Sequence, residues 1–382
     1  MRDELPRRAL VVLGLGLFGM GLAVGSYGAA VARLVDRGVA PGVAGLGMTL
    51  FLLGQLVVVA PADRLTRTRR PAVVATVGLV AGAAASLLSV GGTIAATLAA
   101  RGLLGLGQGA AFVGAMKHVG RRTPQARVST AQGFLGAMFT LGLAVALAAT
   151  PAAFQRVGVA VTMTAVAVVT AVGACGTPFL STATVRPPLP FRAYLAPLRS
   201  SVGLALGLGN MATFGFLMVA TTWYEAVLEG LPAVPTGPTL VAFAVTTVVG
   251  RALGGVLAAR VGDRAVVRHS LLALALVLVG MSAGVHLESG LLVVVAVAGT
   301  GLGFSVPFGP LFGLAFSTLA DDVGVTLVAM LAVGNAGALV YPWLVGELVG
   351  ATDSYALGFA AMGVSVLGIW LLWQHAVAPR EL

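Results

Sequence analysis

The stretch GQLVVVAPADR, at residues 54–64, has a counterpart in GRALGGVLAAR, at residues 250–260. Three glycines at alternate positions, beginning at Gly105, recur in the same way beginning at Gly299. The first pair is separated by 196 residues and the second by 194 residues. Landmarks that repeat at nearly one spacing predict two homologous halves. Two parallel repeats of membrane helices are the plan of many secondary transporters, in which the solute site lies between the halves.

The composition places both halves in a lipid bilayer. Hydrophobic residues make up 58% of the 382 residues and charged residues only 9%, whereas a soluble domain carries about 25% charged residues. Apolar runs long enough to span a bilayer core follow one another along the chain. They exclude a soluble fold, and their length excludes an outer-membrane barrel, whose strands alternate over about 10 residues. We therefore predict an all-α integral membrane protein.

The apolar runs predict twelve transmembrane helices. The predicted ranges are 9–32, 42–61, 72–90, 93–116, 128–150, 157–179, 200–223, 238–259, 266–286, 290–315, 324–346 and 355–376. Residues 181–199 hold four prolines and three arginines and predict a cytoplasmic linker between six-helix bundles at residues 1–180 and 200–382. Pro307 and Pro342 remove backbone hydrogen bonds, which predicts kinks in the tenth and eleventh spans.

The formal charge of +10 belongs to the connections between the apolar runs. If the N-terminus is inside, most of the 23 basic residues fall on the inner side, and Arg33, Arg37 and Arg156 fall on the outer side. Because cytoplasmic loops carry the excess of Lys and Arg, this distribution predicts a protein of the cytoplasmic membrane with both termini cytoplasmic. Membrane orientation thus accounts for the charge and argues against nucleic-acid binding.

The loop after the second span occurs in both halves. The first copy contains Gly54, Asp63 and Arg64. The second copy contains Gly250, Arg260, Asp263 and Arg264, with Ala259 at the position of the acid. Together with Arg101, which is followed by glycines at alternate positions, these loops resemble the signature of the major facilitator superfamily, and the resemblance covers the whole chain. It implies two six-helix bundles, transport by alternating access, and loop residues that latch one conformation. Since Ala259 replaces the acid, the second latch is either weakened or carried by Asp263.

Ionisable side chains within the predicted spans mark the candidate solute site. Arg101 lies in the fourth span and Arg251 in the eighth, and no Asp or Glu lies deep in any predicted span. A fixed positive charge without a buried carboxylate favours an anionic solute, because a guanidinium keeps its charge and matches planar oxyanions. A structural alternative for Arg251 is a side chain that extends to the inner interface. For Arg101 the family resemblance implies a structural or gating role, with solute contact as the alternative.

The row GRALGGVLAAR is more narrowly similar to the eighth span of the nitrate/nitrite porter branch. That resemblance implies that Arg251 contacts the anion together with a second arginine in the second span. The repeat places Gln55 at the equivalent position, and glutamine donates hydrogen bonds without bringing a charge. We therefore predict a small anion, either nitrate-like or nitrite-like or organic, as the solute.

Further polar side chains concentrate on the spans expected to line a cavity. They are Ser26, Tyr27, Gln55, Gln108, Gln132, Asn210, Thr213, Thr246, Thr247, Ser305, Asn335 and Tyr341. Of these, the candidates for solute contact beside the arginines are Gln55, Tyr27, Gln108, Asn210 and Asn335. The alternative for each one is a hydrogen bond that holds two helices together.

Two other functions stay open for a protein of this fold. An enzymatic function is disfavoured. The chain is alternatively an exporter of hydrophobic, drug-like compounds, or a non-transporting membrane sensor on the same fold. The four histidines are dispersed, and neither metal-ligand spacing nor a nucleotide-binding loop occurs, so we predict no enzyme, no cofactor and no metal.

The single cysteine, Cys175, lies in an apolar run, which predicts a buried, unreactive thiol. The expected partners are a small solute and the bilayer, and we expect a monomer.

Overall fold

The computed structural model of the chain describes residues 6–39, 41–124, 127–180, 187–231, 234–319 and 323–377. Within these ranges the regular structure is helical. The chain divides into two compact units, Met1–Tyr194 and Leu195–Leu382. The first six residues of the predicted linker lie outside the described residues, and its later part forms short 3-10 turns at Phe191–Leu195 and Pro197–Arg199.

Long apolar stretches form the helices of both units, and few polar side chains interrupt them. The helices of the first unit are α1 (Arg7–Gly25), α2 (Tyr27–Asp36), α3 (Pro41–Thr68), α4 (Pro71–Leu88), α5 (Ile94–Gly120), α6 (Val128–Arg156) and α7 (Gly158–Gly176). The helices of the second unit are α8 (Ser201–Glu229), α9 (Thr236–Val261), α10 (Asp263–His286), α11 (Gly290–Ser305), α12 (Phe308–Thr318), α13 (Val323–Thr352) and α14 (Ala356–Ala376). Two helix starts are capped by hydroxyls, since Thr93 accepts from the backbone of Ala96 and Ser200 from that of Gly203.

Eleven helical stretches of the described chain are long and apolar enough to cross a membrane. One of them, Arg7–Val31, runs from α1 into α2, and another, Gly290–Thr318, covers α11 and α12. The predicted span at 93–116 corresponds to α5, which is 27 residues long but is made less apolar by Arg101, Gln108 and Lys117. Long apolar helices, as predicted from the composition, therefore occur along the whole described chain.

Each unit has the same pattern of helix packing. In the first unit, α1 packs on α6 and α7, α4 packs on α5 and α7, and α3 packs on α5. In the second unit, α8 packs on α13 and α14, α10 packs on α11 and α14, and α9 packs on α11. When α1, α3 and α4 are matched with α8, α9 and α10, the five pairings are the same. The predicted repeat is thus a repeat of packing as well as of sequence.

Close glycine contacts fix the register of that repeat. A Cβ atom added to Gly105 would meet the backbone of α3, one added to Gly301 would meet α9, and one added to Gly299 would meet α10. Because α3 and α9 are the matching helices, Gly105 corresponds to Gly301. The offset is then 196 residues, the same as between Gly54 and Gly250. The 194-residue offset taken from the glycine pattern alone is therefore two residues out of register.

Two predicted spans are each built from two helices. The tenth is interrupted around Pro307, where α11 ends and α12 begins, in agreement with the predicted kink. Pro342 lies inside α13 without ending it. The first predicted span, 9–32, is interrupted at Ser26, where no proline occurs. A glycine on each side of the Ser26–Tyr27 junction lowers the helix propensity there.

The thiol of Cys175 is exposed at the protein surface, so the predicted burial is wrong. An apolar run identifies a membrane-spanning helix but not which of its faces packs inward. On α7 the neighbouring Gly173 and Ala174 are buried, and Cys175 follows on the outward face.

Candidate functional site

Arg251 on α9 is a buried cation without a described counter-charge. Its exposed fraction is 8%, and its guanidinium carbon lies 3.8 Å from the ring centroid of Phe308. The Nε atom is buried and has no hydrogen-bond partner among the described residues, nor does any described carboxylate pair with the side chain. Burying a guanidinium without a counter-charge is unfavourable. An anion bound at this side chain would remove that penalty.

Two hydroxyls close to Arg251 also lack partners. Thr247 lies one turn earlier on α9, and Ser305 ends α11; their exposed fractions are 1% and 0%. Neither Oγ atom has a hydrogen-bond partner within the described part of the chain. Gly250 allows this approach of α11, because a Cβ atom there would lie 2.9 Å from the Cβ atom of Ser305. The second unit thus holds one cation and two hydroxyls with unused hydrogen-bonding capacity in neighbouring positions.

Arg101 on α5 is also buried without a described counter-charge and with an unpartnered Nε, but neutral groups contact the rest of its guanidinium. Its Nη1 donates to the carbonyl oxygen of Ala23 at 3.4 Å and its Nη2 to the sulfur of Met48 at 3.5 Å. The guanidinium carbon also lies 4.2 Å from the ring centroid of Tyr27 and 4.8 Å from that of Phe51. Two aromatic rings stabilise a desolvated guanidinium by cation–π attraction. This arrangement favours the structural or gating role over solute contact.

A cavity of about 40 Å³ lies beside Arg101 in the first unit. The polar residues along its wall are Ser26, Tyr27, Ser86, Ser89, Thr97 and Arg101. The serine and threonine hydroxyls already donate to carbonyl oxygens of their own helices, as Ser86 does to Gly82 and Thr97 does to Thr93. What they offer the cavity is therefore mainly acceptor capacity, which suits water better than an anion. At about 10–15 Å³ per water, the cavity has room for roughly three water molecules.

Gln55 and Gln108 form a buried amide pair between α3 and α5. The Nε2 of Gln55 donates to the Oε1 of Gln108, and both side chains are almost fully buried. In the repeat, Gln55 occupies the position of Arg251. The first unit therefore has a neutral pair of side chains where the second unit has an unpaired cation.

The two asparagine candidates differ in how much of their hydrogen-bonding capacity is used. The Nδ2 of Asn210 on α8 donates to the carbonyl oxygen of Met330 on α13 at 2.9 Å, which holds the two helices together. Asn335 on α13 is 2% exposed and makes no side-chain hydrogen bond to any described residue. Asn335 is thus the more available of the two for a solute.

Asp63, near the C-terminal end of α3, is the centre of a buried charge network. Its exposed fraction is 0%, and it accepts from Arg67 Nε at 3.0 Å, from Lys117 Nζ on α5, and from the Tyr194 hydroxyl at 2.8 Å. Burial and the Asp63 carboxylate raise the pKa of the Tyr194 hydroxyl above its ordinary value, so the phenol keeps the proton that it donates. This carboxylate therefore connects α3, α5 and the segment that follows α7.

Arg64 takes a separate position beside that network. Its guanidinium carbon lies 4.6 Å from the ring centroid of Phe191, in the same 3-10 turn as Tyr194. Gly54, about three turns earlier on α3, allows α5 to approach, since a Cβ atom there would meet the backbone of Gly102 and Leu106.

The second copy of the loop has no such network. Arg260 is exposed, and neither Asp263 nor Arg264 forms an ion pair or side-chain hydrogen bond with a described residue. Asp263 begins α10, where a carboxylate interacts favourably with the helix dipole. Ala259 stands at the position of the acid. Asp263 forms no described ion pair that could take over the role of that acid.

Sequence reasoning missed three side chains that carry these sites. Lys117 follows the fourth predicted span and is one of the many basic residues between the apolar runs, although it is the one lysine of a chain rich in arginine. Tyr194 lies 131 residues from Asp63, and no local pattern indicates that contact. Phe308 follows Pro307 by one residue, and the helix interruption places its ring against Arg251.

Comparison with known proteins identifies the fold. A sequence profile of the Major Facilitator Superfamily matches residues 13–342. No curated protein sequence matches the chain.

Solved structures of similar architecture cover nearly the whole chain. A human organic anion transporter, MFSD10 (TETRAN), is 15% identical with a TM-score of 0.79, over 97% of this chain and 100% of that one. The proton:xylose symporter XylE is 11% identical with a TM-score of 0.77, over 97% of this chain and 95% of that one. The E. coli fucose:proton symporter FucP is 13% identical with a TM-score of 0.74, over 96% and 98%. At such low identity these likenesses show a shared fold and nothing about the solute.

Proposed function

This chain belongs to the major facilitator superfamily, and we propose that it is a secondary transporter that moves a small anion by alternating access. The proposal includes twelve membrane spans, with α5 as the fourth, in six-helix bundles at residues 1–180 and 200–382. It places the protein in the cytoplasmic membrane with both termini cytoplasmic, as the loop charges indicate.

The observation that carries the choice of an anion is the environment of Arg251. A buried guanidinium without a described counter-charge or hydrogen-bond partner attracts a negatively charged ligand, because the ligand replaces lost solvation. The structural neighbours include a transporter of organic anions and two sugar:proton symporters, so they support a transporter and leave the solute to be inferred from the side chains. We assign Arg251 to direct solute contact, with Asn335 as a neutral contact. Arg101 and Tyr27, the Gln55–Gln108 pair and Asn210 are assigned to holding helices together.

The loop residues are proposed to act unequally in the two halves. Asp63, together with Arg67, Lys117 and Tyr194, latches the inner end of the first unit in one conformation. The second copy, with Ala259 and an unpaired Asp263, provides no matching latch.

Anion counterflow in proteoliposomes tests the function. Nitrate, nitrite, acetate and lactate are offered to wild type and to Arg251→Gln, Arg251→Lys and Arg156→Gln. We expect wild type to exchange at least one anion in a saturable manner, and Arg156→Gln to match it, because Arg156 is exposed at the end of α6. Arg251→Gln removes the charge, and loss of a buried charge partner, worth roughly 3–5 kcal/mol, reduces kcat/KM by more than about 100-fold. Arg251→Lys keeps the charge without the fork and retains part of the activity.

Absence of saturable flux for every anion would overturn the proposal, as would flux that Arg251→Gln leaves unchanged. Because Arg251→Gln removes an unpaired buried charge, the variant should fold, and gel filtration in detergent verifies this before flux is measured.

A further inference from the structure

We propose that Thr247 and Ser305 are hydroxyl ligands of a planar, monovalent oxyanion held by Arg251. The inference rests on the proposed function and extends it to two specificity-determining residues and to the shape and charge of the solute.

The first support is that these hydroxyls, together with that of Thr326 on α13, make no hydrogen bond to a described residue, unlike many hydroxyls of the same unit. Thr246, the neighbour of Thr247, donates to the carbonyl oxygen of Ala242 at 2.9 Å, and Thr300 on α11 donates to that of Val297 at 2.7 Å. Such bonds within a helix satisfy a hydroxyl where no water reaches it. Thr247 and Ser305 make no comparable bond to a described residue, although both are almost fully buried. A buried hydroxyl without a partner destabilises the protein unless a ligand supplies the partner.

The second support is their position relative to the cation. Thr247 and Arg251 are four residues apart on α9, so their side chains leave the same face of the helix with Cβ atoms about 5–6 Å apart. Ser305 comes from α11 and reaches this face over Gly250, which has no side chain to keep it away. Hydroxyls from two helices therefore lie along the turn of α9 that carries Arg251.

The shape of the ligand follows from the groups of the Arg251 guanidinium that stay available for hydrogen bonds. The ring centroid of Phe308 lies 3.8 Å from the guanidinium carbon, and the buried Nε has no hydrogen-bond partner among the described residues. The unpartnered Nε and a terminal nitrogen form a fork that matches two oxygens of a planar anion. Oxygen lone pairs not used by the fork are then available to the hydroxyls of Thr247 and Ser305. A spherical halide has a single atom to share among these separated donors.

The charge of the ligand follows from the single cation. No described carboxylate forms an ion pair with Arg251. One uncompensated positive charge is balanced by one negative charge, which favours a monovalent anion such as nitrate or a monocarboxylate over sulfate or a dicarboxylate.

The first unit gives a contrast within the same chain. The hydroxyls around the cavity beside Arg101 donate to carbonyl oxygens of their own helices, and two aromatic rings stabilise that guanidinium. The oxyanion is therefore assigned to Arg251 and not to Arg101.

Four variants separate ligand hydroxyls from ordinary ones. Thr247→Val and Ser305→Ala remove the unpartnered hydroxyls, whereas Thr246→Val and Ser317→Ala remove hydroxyls that already donate within their own helices. The probes are nitrate and acetate as planar monovalent anions, and chloride and sulfate as ions of other shape or charge. Counterflow in proteoliposomes gives KM and competition constants, and thermal unfolding in detergent gives Tm without anion.

We expect Thr247→Val and Ser305→Ala each to raise KM for the planar anion by about 10-fold or more, because hydrogen bonds to charged groups are strong. Neither variant should lower Tm without anion, since each removes an unsatisfied polar group. The two control variants should leave KM unchanged. Chloride and sulfate should compete at least about 10-fold less well than nitrate or acetate in wild type, and this preference over chloride should shrink in the two ligand variants.

Two outcomes would overturn the inference while leaving the proposed function intact. One is anion exchange whose KM is the same in Thr247→Val, Ser305→Ala and wild type. The other is a wild-type site that takes chloride or sulfate as readily as planar monovalent anions. A wild type that exchanges no anion at all overturns the proposed function as well, so the two failures are distinguishable.

Discussion

Two buried charges of this chain, Asp63 and Arg251, are accommodated in opposite ways. The carboxylate of Asp63 is surrounded by donors from Arg67, Lys117 and Tyr194, so its burial is compensated within the protein. The guanidinium of Arg251 has an aromatic ring on one side and no described counter-charge. A compensated charge holds a structure together, whereas an uncompensated one is available to a ligand. This difference is the basis for assigning Asp63 to the latch and Arg251 to the solute.

Asp63→Asn should destabilise the protein by roughly 3–5 kcal/mol, because Arg67 and Lys117 would remain buried without their counter-charge. The free energy of unfolding in mixed detergent micelles measures the effect. Asp263→Asn is the matched control from the second copy of the loop, since Asp263 has no described ion pair and loses only its helix-dipole interaction, worth less than about 1 kcal/mol. Equal losses for the two variants would contradict the assigned network.

The charged residues of these sites were predictable from the sequence, but their partners were not. Arg251 stands out because ionisable residues are rare in apolar spans, and Asp63 stands out because it belongs to the repeated loop. The partner Lys117 lies 54 residues from Asp63 and Tyr194 lies 131 residues away. Such contacts depend on which helices pack together and on their register, and neither is written in local sequence. For the same reason the sequence indicated the positive charge of Arg251 but not the ring of Phe308 beside it.

At the scale of single helices, glycines allow specific helix pairs to come into backbone contact. Gly142 on α6 lies against α1, and a Cβ atom at this position would collide with the carbonyl oxygen of Phe18. Without a hydrophobic driving force between helices in lipid, close approach of backbones is a main source of stability. The α1–α6 pair and its counterpart α8–α13 are packed in this way, since Gly337 on α13 likewise lies against Met211 on α8.

Gly142→Ala should therefore destabilise the first unit by about 1–3 kcal/mol, because α1 must move away from α6. Gly133→Ala is the control on the same helix, as a Cβ atom at Gly133 meets nothing within 4 Å. The control should be neutral or gain up to about 1 kcal/mol from helix propensity. Unfolding of both variants in detergent checks the prediction, and a loss for Gly133→Ala as large as for Gly142→Ala would refute it.

The sequence predicted which stretches form helices. It did not predict every helix end or every interruption. The predicted span 42–61 corresponds to α3, which continues beyond the apolar run through arginines and threonines to Thr68. The interruption near Pro307 had a covalent cause visible in the sequence. The interruption at Ser26 has no comparable signal in the sequence. Glycines lie beside it, but glycines are frequent throughout the chain and so do not mark an interruption.

At the scale of the whole molecule, two units of matching helix packing carry unequal polar groups. Arg251 has the neutral Gln55 as its repeat counterpart, and Asp63 has Ala259. The repeated apolar and glycine pattern predicted two matching halves, but not which helices pack together within each half. The proposed division of labour, with a latch in the first unit and an anion site in the second, rests on a few substitutions within that pattern.

The orientation of the molecule is testable with single cysteines in a Cys175→Ser background, which is needed because the Cys175 thiol is exposed. Arg156→Cys should react with a membrane-impermeant maleimide in intact cells, since Arg156 belongs to the predicted outer side. Arg199→Cys should react only after the membrane is permeabilised. Labelling of Arg199→Cys but not Arg156→Cys in intact cells would reverse the proposed topology.

The measurement that tests the central claim most directly is isothermal titration of purified protein in detergent with nitrate, nitrite, acetate and lactate. We expect saturable binding of at least one anion to wild type, and Arg251→Gln should weaken it by more than about 100-fold, because the ligand loses its only counter-charge. Arg156→Gln, which removes an exposed arginine, should bind like wild type. Binding of equal strength to wild type and Arg251→Gln, or no binding of any of the four anions, would contradict the assignment of Arg251 as the anion site.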